Sequence, residues 1–232
     1  KMIILCSPHN PVGRVWTKEE LEAFGNICIK NEVLVISDEI HCDLIMPGFK
    51  HICFPTISER FAQHSITGLA ASKTFNLAGL HQSSIIIPNA GLRQDLSNQI
   101  ENLGFTNSIG GTLFGAIAAA AAYNEAESWL DDLILYLNDN FIYLKTYIET
   151  QLPGTKVYDL QGSYLVWVDF RKTGLDCKKM VQVLEKDANV ALDHGIWFGD
   201  NGAGFERFNI ACPRSILVKA VEDIVLAIKK YI

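Results

Sequence analysis

Residues 3–38 read I-I-L-C-S-P-H-N-P-V-G-R-V-W-T-K-E-E-L-E-A-F-G-N-I-C-I-K-N-E-V-L-V-I-S-D. The first four are apolar, half of them β-branched, and are cut off by Ser7 and Pro8, which is the signature of a short buried strand. A loop with two prolines and Gly13 follows, and then Thr17 opens a helix: its hydroxyl can cap, Glu20 completes a capping box, and Leu21, Phe24, Ile27 and Cys28 fall on one face. Asn31 is a plausible stop, and residues 33–37 form a second apolar strand. Strand, helix and strand in forty residues make a βαβ unit, which implies a parallel sheet. Ligands of such sheets sit beyond the carboxyl ends of the strands, here residues 7–13 and residues 38–41.

Working outward, residues 66–69 and 84–87 are further candidate strands, with S-K-T-F-N at residues 72–76 between them. The Ala-rich residues 112–123 predict a helix packed closely on its neighbours. An apolar stripe through Leu130, Leu133, Ile134, Leu137, Phe141, Leu144 and Ile148 predicts one long helix ending before Pro153. A domain boundary is placed near its start, giving residues 1–128 and 129–232. In the second part, strands are expected at 164–170 and 208–211 and helices at 176–186 and 217–231, a smaller α+β unit. The glycine-rich run 195–204 is read as following no strand and opening no helix, hence as a turn or edge and not a phosphate loop.

The chain has 232 residues, 20 basic against 26 acidic side chains, a formal charge of −6 and 49% hydrophobic residues. That is ample for a buried core and excludes intrinsic disorder. No run of Lys or Arg provides the footprint of a nucleic-acid or polybasic membrane contact, so neither partner is expected. No apolar stretch is long enough to span a bilayer. The cysteines at 6, 28, 42, 53, 177 and 212 show no paired metal spacing, so no metal site is expected, and several lie in apolar runs, consistent with a reducing cytosol. A chain that opens inside a strand, without a leader, is expected to be the C-terminal part of a longer subunit.

Four polar groups fall at strand ends: Asn10 in S-P-H-N-P-V-G, Asp38 and His41 in D-E-I-H, and Lys73 in S-K-T-F-N-L-A-G-L. Asp38 follows Asn10 by 28 positions and Lys73 follows Asp38 by 35. With G-S-Y-L-V-W-V-D-F, W-F-G-D-N-G-A-G-F and R-F-N-I-A-C-P-R-S downstream, the chain resembles fold-type I pyridoxal-phosphate enzymes of the aminotransferase superfamily, in the branch of cystathionine β-lyases and related C-S lyases. The resemblance implies an α/β fold: part of a large domain with a mostly parallel sheet, plus a smaller C-terminal α+β domain. It also implies pyridoxal 5'-phosphate as cofactor, an amino-acid substrate, and a homodimer when full length.

Roles carry over residue by residue. The resemblance implies that Lys73 holds the cofactor aldehyde and then removes the substrate Cα proton, which needs an amine with a lowered pKa. Asp38 would keep the pyridine nitrogen protonated, and Asn10 would donate to the ring's phenolic oxygen. His41 stands where many aminotransferases carry Tyr, which favours the lyase branch. Ser72 is a candidate phosphate ligand, whereas Ala70 and His81 depart from the phosphate-binding Ser and the Arg common at those positions. Arg207 matches the arginine that grips the substrate carboxylate through a bidentate fork. Arg214, at the opening of the last helix, is read as structural.

The leading reading is a lyase that eliminates a thiol from a sulfur amino acid, leaving pyruvate and ammonia. The same residues serve a class I/II aminotransferase, and aminotransferase-like domains also occur as non-catalytic regulatory modules; all three readings stay open at this point.

Overall fold

A computed structural model of the chain describes residues 1–104 and 112–232. The elements run β1 (Met2–Cys6), α1 (Lys18–Lys30), β2 (Leu34–Asp38), α2 (Glu59–Gln63), β3 (Ser65–Leu69), α3 (Ala71–Thr74), β4 (Ser84–Ile86), α4 (Ala90–Asn102), α5 (Leu113–Glu125), α6 (Glu127–Gln151), β5 (Lys156–Val157), β6 (Leu165–Asp169), α7 (Cys177–Gln182), β7 (Asp193–His194), β8 (Phe205–Asn209) and α8 (Arg214–Ile228). They divide into two compact units: one of Lys1–Pro8 and Val15–Asp132, the other of His9–Arg14 and Leu133–Ile232. Among the described residues no helix is long and apolar enough to cross a membrane.

The first unit holds a four-stranded sheet in the order β1-β2-β3-β4. β1, β2 and β3 are parallel and β4 returns antiparallel, so the sheet is mostly parallel as expected. α1 begins as its sequence dictates: Thr17 accepts from the Glu20 N–H, and Glu20 reaches back to the Thr17 N–H at 3.0 Å. Its apolar face contributes Leu21 and Cys28 to a core completed by Leu5, Val35, Phe54 and Phe61. Phe54 and Phe61 stack with centroids 5.1 Å apart. Gly25 is required there, because a Cβ at that position would lie 2.5 Å from the Phe61 ring.

α5 forms over the Ala-rich segment with Thr112 as its cap, but it does not pack closely all round. Gly115 and Ala119 are its buried residues, while Leu113, Phe114 and Ile117 are exposed. The small side chains therefore admit one narrow contact stripe.

The second unit holds the antiparallel sheet β5-β6-β8-β7, covered by α6, whose Leu137, Leu144 and Ile148 are buried, and by α8. Here β8 starts three residues earlier than the apolar run 208–211 predicts, and it ends at Asn209. Glu206 and Arg207 interrupt the apolar pattern yet lie within the strand, because β7 supplies their partners. The run 195–204 also differs from expectation, since it directly follows β7. Two tight turns fold it back so that a Cβ on Gly195 would lie 2.2 Å from the Gly202 carbonyl oxygen. The glycines serve close backbone approach, and no helix follows them.

Candidate active site

In the first unit, the parallel register pairs Asp38 with Cys6 on one side and Gly68 on the other. Asp38 is thus the last residue of the central strand, at the carboxyl edge where such sheets bind ligands. Its half-buried carboxylate receives a long contact from the Ile40 N–H at 3.4 Å. The chain then turns, and His41 is buried, 3% exposed.

β3 leads from Gly68 into α3, the single turn that carries Ser72 and Lys73. Ala70 occupies the cap position of that turn, where it offers no hydroxyl. Lys73 is half-buried, and among the described residues no hydrogen bond or ion pair engages its ammonium or the Ser72 hydroxyl. His81 adopts a left-handed conformation, with φ of 51°, and is exposed. What holds the lysine turn is its neighbour Thr74, 1% exposed, which donates to Asp43 Oδ2 at 2.8 Å. The Tyr123 hydroxyl on α5 donates to the same oxygen at 3.4 Å. Burial and the Asp43 charge push the Tyr123 phenol up to about 12. Phe75 packs edge-on against Tyr123 with centroids 5.4 Å apart.

Glu39, directly after Asp38, is fully buried and accepts from the Ser37 hydroxyl at 2.8 Å, from His51 Nε2 at 2.8 Å and from the Phe54 N–H at 2.9 Å. Burial alone raises a carboxyl's pKa, but these hydrogen bonds and the His51 imidazole together hold Glu39 below the usual carboxylate range. Cys53 comes close enough that the ligand atoms of Glu39, His51 and Cys53 lie within 4.8 Å of one another. Burial and the Glu39 carboxylate push its thiol up to about 12.

In the second unit, Arg207 sits on β8 between Trp167 of β6 and Asp193 of β7. Its Nη1 donates to Asn10 Oδ1 at 2.7 Å and its Nη2 to Asp193 Oδ2 at 2.5 Å. The guanidinium lies 5.0 Å from the centroid of the Phe198 ring. Arg207 Nε is buried and has no acceptor among the described residues. One position earlier, Glu206 accepts from or shares a proton with His194 Nδ1 at 2.8 Å. Burial pushes Glu206 up to about 7 against the opposing pull of His194. Arg214, in contrast, opens α8 and rests over Tyr143, 5.2 Å from its ring centroid.

The sequence reading placed Asn10, Asp38, His41 and Lys73 at strand ends of one sheet; the structure keeps Asp38, His41, Ser72 and Lys73 in the first unit, and pairs Asn10 with Arg207 in the second. The sequence reading assigned nothing to Asp43, Thr74, Tyr123, Glu39, His51 or Asp193. Thr74 and Glu39 stood inside the quoted strings S-K-T and D-E-I-H, which is the signal that could have raised them. Tyr123 lies 80 positions from its partner and leaves no local trace.

Residues 1–224 match the profile of the family aminotransferase class I and II. The chain belongs to this family. Within it, the chain is 40% identical over 228 residues to cystathionine beta-lyase PatB of Bacillus subtilis, covering 98% of this chain and 58% of that protein. Among solved structures, cystalysin of Treponema denticola, which contains a pyridoxal 5'-phosphate cofactor, superposes with a TM-score of 0.95 at 40% identity, over 99% of this chain and 58% of the other. The PLP-bound C-S lyase of Staphylococcus hominis gives a TM-score of 0.88 at 36% identity, over 98% and 58%. The chain therefore has the fold-type I architecture of these family members and spans about 58% of their length.

Proposed function

We propose that this chain is the lysine-bearing and carboxylate-binding part of a pyridoxal-phosphate-dependent C-S β-lyase. The observation that carries the reading is the pairing of an unengaged, half-buried lysine after β3 with a carboxylate ending the adjacent strand β2. The first unit's donor set fits the cofactor: an amine for its aldehyde, a carboxylate for its ring nitrogen and a hydroxyl on Ser72 for its phosphate; the resemblance implies Asn10 for its phenolic oxygen. Bound there, pyridoxal phosphate would supply an electron sink for the Cα–H bonding pair.

The rest belongs to the chain's own residues. Lys73 would hold the cofactor through its aldehyde and, when free, would be the base that takes the substrate Cα proton. Asp38 keeps its proton-bearing partner charged by accepting a hydrogen bond from it. His41, buried behind Asp38 in sequence, lends an imidazole to this half of the site. Arg207 binds the substrate α-carboxylate through its fork, with the unsatisfied Nε–H as a waiting donor. A thiol leaving from Cβ completes the elimination, and the released product hydrolyses to pyruvate and ammonia. This reading brings with it a homodimeric subunit, a cytoplasmic location, an amino-acid substrate, and a functional division into residues 1–128 and 129–232.

The test uses the whole subunit. It is loaded with pyridoxal phosphate, reduced with borohydride and mapped by peptide mass; the label is expected on Lys73, and a label on any other lysine overturns the assignment. Incubation with cystathionine is expected to release pyruvate without an added keto acid. Amino exchange that requires a keto acid, with no pyruvate released, would instead make it an aminotransferase that uses the same residues.

A further inference from the structure

We propose that Asp193 is a built-in rival for the carboxylate site at Arg207, setting how tightly that arginine holds a substrate. The inference rests on the reading of Arg207 as the carboxylate-binding residue, and it concerns a side chain to which that reading gives no task.

A guanidinium has five N–H donors, and it grips a carboxylate through two of them side by side. There are two such edges, Nη1 with Nη2 and Nε with Nη2, and both include Nη2. That is the nitrogen Asp193 occupies, at 2.5 Å. Asn10 takes Nη1 at 2.7 Å, and Nε is left buried without an acceptor among the described residues. Nη2 has an N–H on each edge, so an incoming carboxylate that uses the waiting Nε–H binds beside an anion already on Nη2 and against its charge.

The two partners differ in their freedom to move. Arg207 is 17% exposed, stacked against Phe198 and fixed within β8, whereas the Asp193 side chain is 41% exposed. Asp193 can swing into water; the arginine stays. Asp193 and Arg207 are also direct cross-strand partners in the β7–β8 ladder, so the fold itself delivers the carboxylate to the guanidinium. In the resting protein the arginine's charge is thus neutralised, and a substrate carboxylate binds against the negative charge of Asp193. The device prevents a strongly cationic site from holding every passing carboxylate tightly, and it raises the concentration of substrate needed for saturation.

The experiment measures binding of an unreactive carboxylate, propionate, to the cofactor-loaded whole subunit by calorimetry at fixed ionic strength. Asp193→Asn keeps a hydrogen-bonding side chain and removes the rival charge; the expected result is about tenfold tighter propionate binding, with Asp193→Ser, a second charge-free variant, behaving alike. Asp193→Glu retains the charge and is expected to bind as the parent does. With cystathionine, Asp193→Asn is expected to lower KM and leave kcat nearly unchanged. Equal or weaker propionate binding in both charge-free variants, with Arg207→Gln still abolishing it, overturns the rivalry and leaves Asp193 as a prop for the arginine. Unchanged propionate binding in Arg207→Gln would instead overturn the reading of Arg207 itself.

Discussion

Thr74 donates its hydroxyl to Asp43 at 2.8 Å across 31 positions of sequence, and Lys73 lies immediately before it. The short turn α3 has no capping side chain and too few residues to hold itself together, so its position comes from outside. Asp43 provides it, joining the loop after β2, the lysine turn and, through Tyr123, helix α5.

Thr74→Val removes the donor at nearly constant shape and leaves the Asp43 carboxylate short of a partner. A loss of about 1–3 kcal/mol of stability is expected, read from denaturant unfolding, together with slower borohydride-trapped labelling of Lys73 by pyridoxal phosphate. Thr74→Ser, which keeps the hydroxyl, should recover most of both. Equal behaviour of the Val and Ser variants would remove the hydrogen bond from the explanation.

Glu206 gives a second prediction, in which the sign follows from its pKa of about 7, raised mainly by burial. A carboxyl that binds its proton more tightly when folded than when unfolded stabilises the fold at low pH, and that contribution fades as the pH rises through the folded value. Between about pH 5 and pH 8 the chain should lose up to about 3 kcal/mol through this group. Glu206→Gln should flatten that slope in unfolding experiments across the same range. A slope that persists in the variant would place the titration on another residue.

How far the fold could be read from sequence follows from the same residues. The β1-α1-β2 unit was legible because its signals are local: two apolar β-branched runs and the capping box of Thr17 with Glu20. β8 was read three residues late because Glu206 and Arg207 look like loop residues until their partners on β7 are known, and a two-residue strand has no pattern of its own. Helix α4 went unread although Leu92, Leu96 and Ile100 recur at helical spacing; the stripe is one residue wide and none of the helix is buried. Among candidate site residues, Asp38, Ser72 and Lys73 stood in short strings that carry a resemblance. Asn10 and Arg207 meet across 197 positions, and only the folded chain displays that bond.

Gly195 offers a test of the turn that follows β7. A Cβ there would lie 2.2 Å from the Gly202 carbonyl oxygen and 2.6 Å from that of Phe205, and backbone atoms cannot step aside as a flexible side chain can. Gly195→Ala should therefore cost about 3 kcal/mol or more, comparable to severe overpacking, and lower the melting temperature measurably. A variant that melts with the parent protein would mean that this turn has a roomier alternative.

Glu39 is the strictest test of the first unit, because one buried carboxylate there serves three donors from three places in the chain: Ser37 on β2, His51 in the loop beyond, and the Phe54 N–H at the start of the turn that carries the core aromatic. Gln at this position offers one carbonyl oxygen and a donor amide, so it cannot accept from all three and places an N–H against at least one of them. Leaving buried polar groups of this network unsatisfied is expected to cost about 1–3 kcal/mol. The pH dependence runs opposite to that of Glu206: the folded pKa of Glu39 lies below its ordinary value, so its contribution is present above the unfolded pKa and is lost as the pH falls through the folded one. Glu39→Gln should thus destabilise the chain at neutral pH and also blunt its loss of stability below about pH 5, where the parent carboxylate is forced to take a proton. Unfolding followed at neutral and acid pH separates the two effects. A variant as stable as the parent at pH 7 would show that the three hydrogen bonds only offset the cost of burying the charge.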